Sequence, residues 1–234
     1  MEFAIIAAGE GARLKKEGSL LPKPLVLLQG KPLIDRLIDI FKANGARKIH
    51  IIINETSELL QQHLLKKAST ANINLIVRST PDSLHSFGAL IPGFEGKDIC
   101  LTTVDTVFHE TEFSTYLQDF AEQKNIDASV AVTTFVDDEK PLYVKADETM
   151  WVRNFMDENT SGECSYVSGG IYCLRARAYQ AALDTLSDGK SRMRDFQRRM
   201  IVEGMRVRAF EFSKIVDVDH LSDLNLATQL LQPQ

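Results

Sequence analysis

Residues 3–14, Phe-Ala-Ile-Ile-Ala-Ala-Gly-Glu-Gly-Ala-Arg-Leu, run from an uninterrupted apolar segment straight into a loop with two glycines. Six consecutive apolar residues (3–8) read as a strand buried on both faces, the texture of a parallel sheet. In such a sheet ligands collect outside the carboxyl ends of the strands, so the loop stands where a ligand would bind. Gly9 and Gly11 let the backbone approach an anion closely. Successive N–H groups from Ala7 and Ala8 onward can hold its oxygens. Two familiar phosphate loops are excluded. The dinucleotide fingerprint needs a third glycine where Leu14 stands, and an acid about 20 residues on, where Gln29 stands. The Walker loop needs a glycine where Asp184 precedes Gly189-Lys190-Ser191.

Working outward, Leu21-Pro22-Lys23-Pro24-Leu25 holds a lysine between two prolines, which restrict where its ammonium can point. Arg13 and Lys23 then bring two cations to one side of the glycine loop, an arrangement suited to a polyphosphate. Gly30-Lys31-Pro32-Leu33-Ile34 opens a helix over residues 32–44, with Leu33, Ile34, Leu37, Ile38 and Phe41 on one face. Strands follow at 49–53, 73–77 and 99–104, separated by helices at 55–69 and 83–90. This alternation predicts a mostly parallel sheet covered on both faces by right-handed crossovers. After a helix at 113–123 the texture changes to short strands at 128–135, 142–145, 150–155 and 166–174. Helices at 176–186 and 193–202, a strand at 206–212, an extended piece to 218 and a helix at 221–231 complete the chain. No linker-like, low-complexity or repeated segment interrupts it. The expectation is a single domain over 1–234, with a nucleotide-binding half to about residue 110 and an acceptor-binding half from about 111.

The 234 residues carry a net charge of −5, with 44% hydrophobic and 25% charged residues, an ordinary globular balance. A mildly acidic chain argues against a nucleic-acid partner. Cys100, Cys164 and Cys173 form no CxxC pair, so neither a disulfide scaffold nor a zinc ribbon is expected. No apolar run approaches the roughly 20 residues of a membrane helix, and the acidic start is unlike a signal peptide. A cytoplasmic protein with no membrane partner is the expectation.

Taken together, residues 3–14, the PKPL segment at 22–25 and the GKPLI segment at 30–34 resemble the nucleotidyltransferase family of nucleoside-diphosphate-sugar pyrophosphorylases. That family carries a G-x-G-T-R-L loop, PKPL and G-K-P-L/M-I. The match is close over residues 3–38, with Ala12 in place of the usual Thr. The choline-phosphate cytidylyltransferases are the nearest competing resemblance; molybdopterin guanylyltransferases usually lack PKPL and methylerythritol cytidylyltransferases tend to read PKQ. The resemblance implies a Rossmann-like, mostly parallel mixed sheet with helices on both faces, of the glycosyltransferase A-like type. It also implies Mg²⁺-dependent transfer of a nucleoside monophosphate from an NTP to a sugar 1-phosphate. Arg13 and Lys23 would then be the catalytic cations, and Ala7, Ala8, Gly9 and Gly11 would meet the nucleotide.

Residues 99–105, Ile-Cys-Leu-Thr-Thr-Val-Asp, end an apolar strand on a carboxylate, where the family holds Mg²⁺. The second family ligand precedes the last helix, and Asp219 fits that place better than Asp217. Residues 78–90 occupy the base-reading position, where Ser83, His85 and Ser86 offer polar contacts. In the acceptor half Glu158 matches the family's sugar-contacting acid, and Gly169 and Gly170 match a strand whose backbone approaches the sugar. Asn159 replaces the usual phosphate-binding Lys, and Arg192, Arg194, Arg198 and Arg199 are candidate replacements. Two alternatives stand beside this reading. One is a cytidylyltransferase for phosphocholine or a similar alcohol phosphate, for which Trp151, Phe155, Tyr166 and Tyr172 could supply aromatic faces. The other is a non-catalytic nucleotide-sugar-binding protein on the same fold.

Overall fold

A computed structural model describes residues 1–68, 71–136 and 139–232. Its front half is β1 (Glu2–Ala7), α1 (Ala12–Lys16), β2 (Leu27–Leu28), β3 (Lys31–Pro32), α2 (Leu33–Ala43), β4 (Ile49–Ile53), α3 (Glu58–Lys67), β5 (Ile73–Val77), α4 (Ser83–Leu90) and β6 (Ile99–Thr103). The back half is β7 (Thr106–Phe108), α5 (Glu110–Glu122), β8 (Ala128–Thr133), β9 (Tyr143–Ala146), β10 (Val152–Met156), β11 (Tyr166–Leu174), α6 (Ala176–Ser187), α7 (Met193–Val202), β12 (Val207–Glu211), β13 (Ile215–Asp217) and α8 (Asp223–Leu230). The helix expected over 55–69 begins three residues late, and position 69 lies outside the described residues. No helix among the described residues is long and apolar enough to cross a membrane.

The main sheet runs β5-β4-β1-β6-β11, parallel as far as β6 and antiparallel from β6 to β11. Beyond β6 it forks. One edge of β11 pairs with β8 and, through it, with β12. On the other edge Ile171–Leu174 pair with β6, while Tyr166 and Val167 pair with β9. Ser168-Gly169-Gly170 spans the interruption, where the ladder to β8 shifts register. Gly170 has φ +72°, a left-handed conformation that glycine adopts without a side-chain clash.

Strand β1 shows how the period of two builds the layers. Phe3, Ile5 and Ala7 pack into a core with Phe41, Phe108, Phe113 and Tyr116. Ala4, Ile6 and Ala8 face the opposite core, with Phe87, Phe94, Tyr172 and Phe196. A third, smaller cluster positions the site. It joins Leu14, Val26, Leu28 and Leu33 to Val107, Val216, Val218, Ala227 and Leu230. Each large apolar side chain there contributes about 1.5–3 kcal/mol of burial, enough to fasten the loops of the front half to the end of the chain. The three-residue ladder Thr106↔Asp217, Val107↔Val216, Phe108↔Ile215 completes that junction.

Candidate active site

Strands β1 and β6 lie side by side, while β4 extends the sheet on the other side of β1, so the strand order reverses at β1. Ligands bind at such switch points, and a cleft of about 510 Å³ opens there. Its walls include Ala8, Gly9, Glu10 and Gly11 after β1, Asn54 after β4, Thr80–Ser83 and Ser86 around the start of α4, and Asp105. Gly11 has φ +60°, and a Cβ there would lie 2.9 Å from the Cβ of Lys23. A glycine is therefore what lets Lys23 come up beneath the loop. Lys23 opens a single 3-10 turn flanked by Pro22 and Pro24 and is 8% exposed.

The Lys23 ammonium sits between two carboxylates. It contacts Asp105 Oδ2 and lies 2.5 Å from Asp219 Oδ1. Arg13 Nη1 approaches the other oxygen of Asp219 at 2.5 Å. Asp105 occupies the turn between β6 and β7, and its carbonyl accepts a hydrogen bond from the Val218 N–H at 3.1 Å. The β7–β13 ladder thus carries the two acids to one point, although 114 positions separate them in the sequence. Asp219 is not spent on capping α8: Asp223 Oδ2 accepts the N–H groups of Asp219 and His220 at 2.9 and 2.6 Å. Burial alone would raise the Asp105 carboxyl; the Lys23 ammonium overrides it and holds the group below its ordinary value. Burial likewise opposes the charge on Lys23, and Asp105 and Asp219 override it, so the ammonium is held above its usual range.

Asp217 behaves differently. Its Oδ1 is sealed from solvent with no partner among the described residues. Burial, reinforced by the charge of Asp105, pushes its carboxyl up to about 8. Unfolded, the group titrates near about 3.9. Between those values the unfolded chain gives up a proton that the folded chain keeps, so this group costs stability as pH rises from about 4 to 8. Asp217→Asn should remove that cost. The melting temperature of the metal-free variant is expected to gain on wild type steadily across this window in parallel thermal melts. Equal pH profiles would show that Asp217 ionises normally.

A second cleft, about 480 Å³, shares Ile6, Asp82, Ser83, Thr103, Asp105 and Asp219 with the first. Its far side is the fork of the sheet and the start of α7: Ser168, Gly170, Tyr172, Arg192, Arg194 and Gln197. Ser168 Oγ donates to Gln197 Oε1 at 3.1 Å, and Gln197 Nε2 donates to the Tyr172 hydroxyl at 3.3 Å. Arg194 contacts Asp157 and donates to the Lys140 carbonyl at 3.1 Å.

The sequence model of the nucleotidyl transferase family matches residues 4–233. The chain belongs to that family. Among curated relatives it is 21% identical over 235 residues to the bifunctional protein GlmU of Clostridium botulinum, covering 98% of this chain and 50% of that protein. It is 27% identical over 201 residues to the GlmU of Prochlorococcus marinus, covering 82% of this chain and 43% of that protein. The chain therefore spans about half the length of the curated relatives it matches. In fold it resembles a Bacillus anthracis protein described as a glucose-1-phosphate thymidylyltransferase (TM-score 0.84, 18% identity, 98% of this chain and 94% of that one). It also resembles the inositol-1-phosphate CTP transferase of T. maritima (TM-score 0.79, 18% identity, 98% and 95%).

Within this nucleotidyl transferase, Ala8, Gly9, Gly11, Arg13, Lys23, Ser83, Ser86, Asp105 and Asp219 line the first cleft and Gly170 the second. Gly169 lines a side pocket of about 70 Å³ with Asp217 and Asp219. Three expected contacts lie elsewhere. Ala7 is buried on the opposite face of β1, as strand alternation demands. His85 turns away from Ser83 and Ser86 around α4, and its Nδ1 pairs with Asp82 Oδ2 at 2.8 Å. Glu158 lies in the exposed turn after β10 and lines neither cleft. Asn159 staples that turn: its Nδ2 donates to the Cys164 carbonyl at 2.8 Å and its Oδ1 accepts the Cys164 N–H at 3.0 Å. Of the four candidate arginines, Arg192 and Arg194 reach the cleft. Arg198 and Arg199 line neither cleft: Arg198 shares Asp157 with Arg194, and Arg199 is held by Asp188 with Glu203. Sequence reasoning missed Asn54, whose Oδ1 accepts from Thr56 and Ser79. Its place at the carboxyl end of β4 was the available signal.

Asp105 and Asp219 suit a hard cation. Both offer oxygens, and an ammonium already sits between them. Among the described residues no group of three or more His, Cys, Asp or Glu is arranged to hold a metal. A two-carboxylate site completed by phosphate oxygens is the habit of Mg²⁺.

Proposed function

We propose that this nucleotidyl transferase moves a nucleoside monophosphate from an NTP to a hydroxyl-rich phosphate monoester of the sugar 1-phosphate class, releasing pyrophosphate. One observation carries the reading: the two clefts meet at Asp105 and Asp219, with Lys23 and Arg13 on the nucleotide side. In the reaction an acceptor phosphate oxygen attacks the α-phosphorus in line. The bond from that phosphorus to the oxygen bridging the β-phosphorus breaks, and its electrons leave with pyrophosphate. No covalent nucleophile on the protein is needed, so positioning and charge carry the rate. Gly9 and Gly11 let the backbone approach the nucleotide phosphates. Arg13 and Lys23 offset negative charge on the transferring group and on the departing pyrophosphate. Mg²⁺, held by Asp105 and Asp219, would supply further neutralisation across the triphosphate.

Arg192 and Arg194 would hold the acceptor phosphate, replacing the cation absent at Asn159. Charged hydrogen bonds of this kind are worth about 1.5–3 kcal/mol. Truncating each arginine to Ala should therefore raise the acceptor KM by roughly 10–100-fold while leaving the NTP KM near wild type. Steady-state kinetics with each substrate varied in turn measure this split; a matched rise in both KM values would assign the arginines to closure or folding instead.

The four aromatic residues on which a phosphocholine reading would draw do not gather at one cleft. Trp151 is covered by Arg206 at 4.9 Å and lines a separate pocket. Phe155 is buried in the core, and the Tyr166 hydroxyl donates to Glu211. Only Tyr172 of the four lines the second cleft. Pyrophosphate release should be assayed with the four NTPs, each against glucose 1-phosphate, inositol 1-phosphate and phosphocholine, with and without Mg²⁺. Release with a ring phosphate supports the proposal, preference for phosphocholine transfers it to the alternative, and silence throughout favours a binding protein.

A further inference from the structure

Lys23 occupies the place between two carboxylates that a divalent cation would need. Its ammonium touches Asp105 and Asp219, and Arg13 takes the remaining oxygen of Asp219. Lys23 and Arg13 between them cover three of the four carboxylate oxygens of Asp105 and Asp219, so the nucleotide-free site leaves a metal ion no open pair of oxygens between the acids; Arg13 also reaches Glu139 at 3.4 Å. A triphosphate changes that arrangement. The same two cations line the nucleotide cleft, and phosphate oxygens compete with the carboxylates for them. We propose that Lys23 is an ammonium placeholder that ties metal uptake to nucleotide arrival: the free protein rejects divalent cations, and the triphosphate draws Lys23 and Arg13 off the acids as it brings its own oxygens to the metal.

The inference rests on the proposed function, because it takes Asp105 and Asp219 as the metal pair. Burial makes the device effective. Lys23 lies in a part-buried contact where solvent screens little, and the flanking prolines limit its retreat. Binding linkage is reciprocal, so metal and nucleotide each raise the affinity for the other by one common factor. A lysine whose only role is to grip phosphate would help nucleotide binding and leave the metal affinity of the free protein unchanged. The placeholder makes the opposite demand. Removing the ammonium must improve metal binding while it harms catalysis.

The test uses Mn²⁺ as probe, with free Mn²⁺ read by electron paramagnetic resonance in the absence of nucleotide. Removing one unit charge in direct contact with both acids should tighten Mn²⁺ binding by at least about tenfold in Lys23→Met relative to wild type. The double variant Lys23→Met/Asp105→Asn should lose that gain, which assigns the ion to this site. Lys23→Arg, which keeps the charge, should stay as weak as wild type. Lys23→Gln serves if Lys23→Met does not fold by circular dichroism. Wild type binding Mn²⁺ as tightly as the charge-removed variant overturns the inference, and tight nucleotide-free binding by wild type overturns it even if neither variant folds. Pyrophosphate release separates the two layers. If wild type turns over and Asp105→Asn does too, the metal pair itself is wrong. If Asp105→Asn is inactive and Lys23→Met gains no affinity, only the placeholder fails.

Discussion

Asp105→Asn and Asp219→Asn are each expected to lower pyrophosphate release by about a hundredfold or more while the protein stays folded. The loss has the size of one preorganised electrostatic contact, roughly 3 kcal/mol. Neither side chain packs in the core: Asp105 and Asp219 line the two clefts, and the backbone around them is held independently. The Asp105 carbonyl bonds to Val218, the β7–β13 ladder closes three register pairs, and Asp223 caps the turn that carries Asp219. An amide keeps the shape and removes the charge that Lys23 and a metal ion both seek. Asp217→Asn should cost much less activity, since its Oδ1 is sealed from solvent and neither Lys23 nor Arg13 pairs with it as they do with Asp105 and Asp219. Steady-state kinetics on the three variants, with circular dichroism as the folding control, measure the contrast. Near-normal turnover in folded Asp105→Asn would sink the catalytic proposal. Failure of Asp217→Asn with survival of Asp219→Asn would move the second ligand by two residues and leave the chemistry in place.

Gly11→Ala should lower kcat/KM by roughly 10–100-fold. A side chain at φ +60° costs about 1–2 kcal/mol, and here the new Cβ would also stand 2.9 Å from the Cβ of Lys23. That approach is too close, so either the loop or Lys23 must shift. Small displacements at a reacting centre are expensive. Gly9→Ala supplies the control, because a Cβ at Gly9 meets nothing within 4 Å. Thermal melts should show a lowered midpoint for Gly11→Ala and an unchanged one for Gly9→Ala. Activity lost in Gly9→Ala then reports contact with the nucleotide. Equal melting points and equal kcat/KM for both variants would mean that the close approach of Lys23 does not matter.

Much of this arrangement could be read before any coordinates. Strands β4, β5 and β11 and helices α4 and α7 begin and end where apolar runs and helical periodicity place them, because those signals are local to each segment. That the glycine loop, Arg13 and the lysine between two prolines come to one cleft is legible too, because backbone conformation constrains such sequences locally. Phase errors account for two of the misplaced residues. Ala7 shares a face with Phe3 and Ile5, so strand alternation already pointed it away from the cleft. Ser83 and Ser86 are three apart and share a helical face that His85 does not, in a helix whose first turn is capped by the Asp82 side chain, which accepts the His85 N–H. The remainder was hidden because it is long-range. The β7–β13 ladder joins two three-residue strands across more than a hundred positions, too short for any periodicity to show. The expectation for Glu158 rests on a motif, and the Asn159–Cys164 staple beside it depends on a turn whose geometry no local signal announces.

The fork of the main sheet bears on how such a protein can change over evolutionary time. Residues reaching the first cleft lie mainly on segments up to Asp105, and those peculiar to the second cleft lie mainly beyond residue 139. The two sets meet at a narrow shared wall around Asp105 and Asp219. Mutations at the start of α7, or at the interruption of β11, can therefore be sampled without disturbing the parallel strands that carry the glycine loop. A lineage could exchange one acceptor for another while inheriting its transfer chemistry intact. On the proposed function Asn159 would be a trace of such an exchange: the position serves a turn, and Arg192 and Arg194 would supply the positive charge from the start of α7.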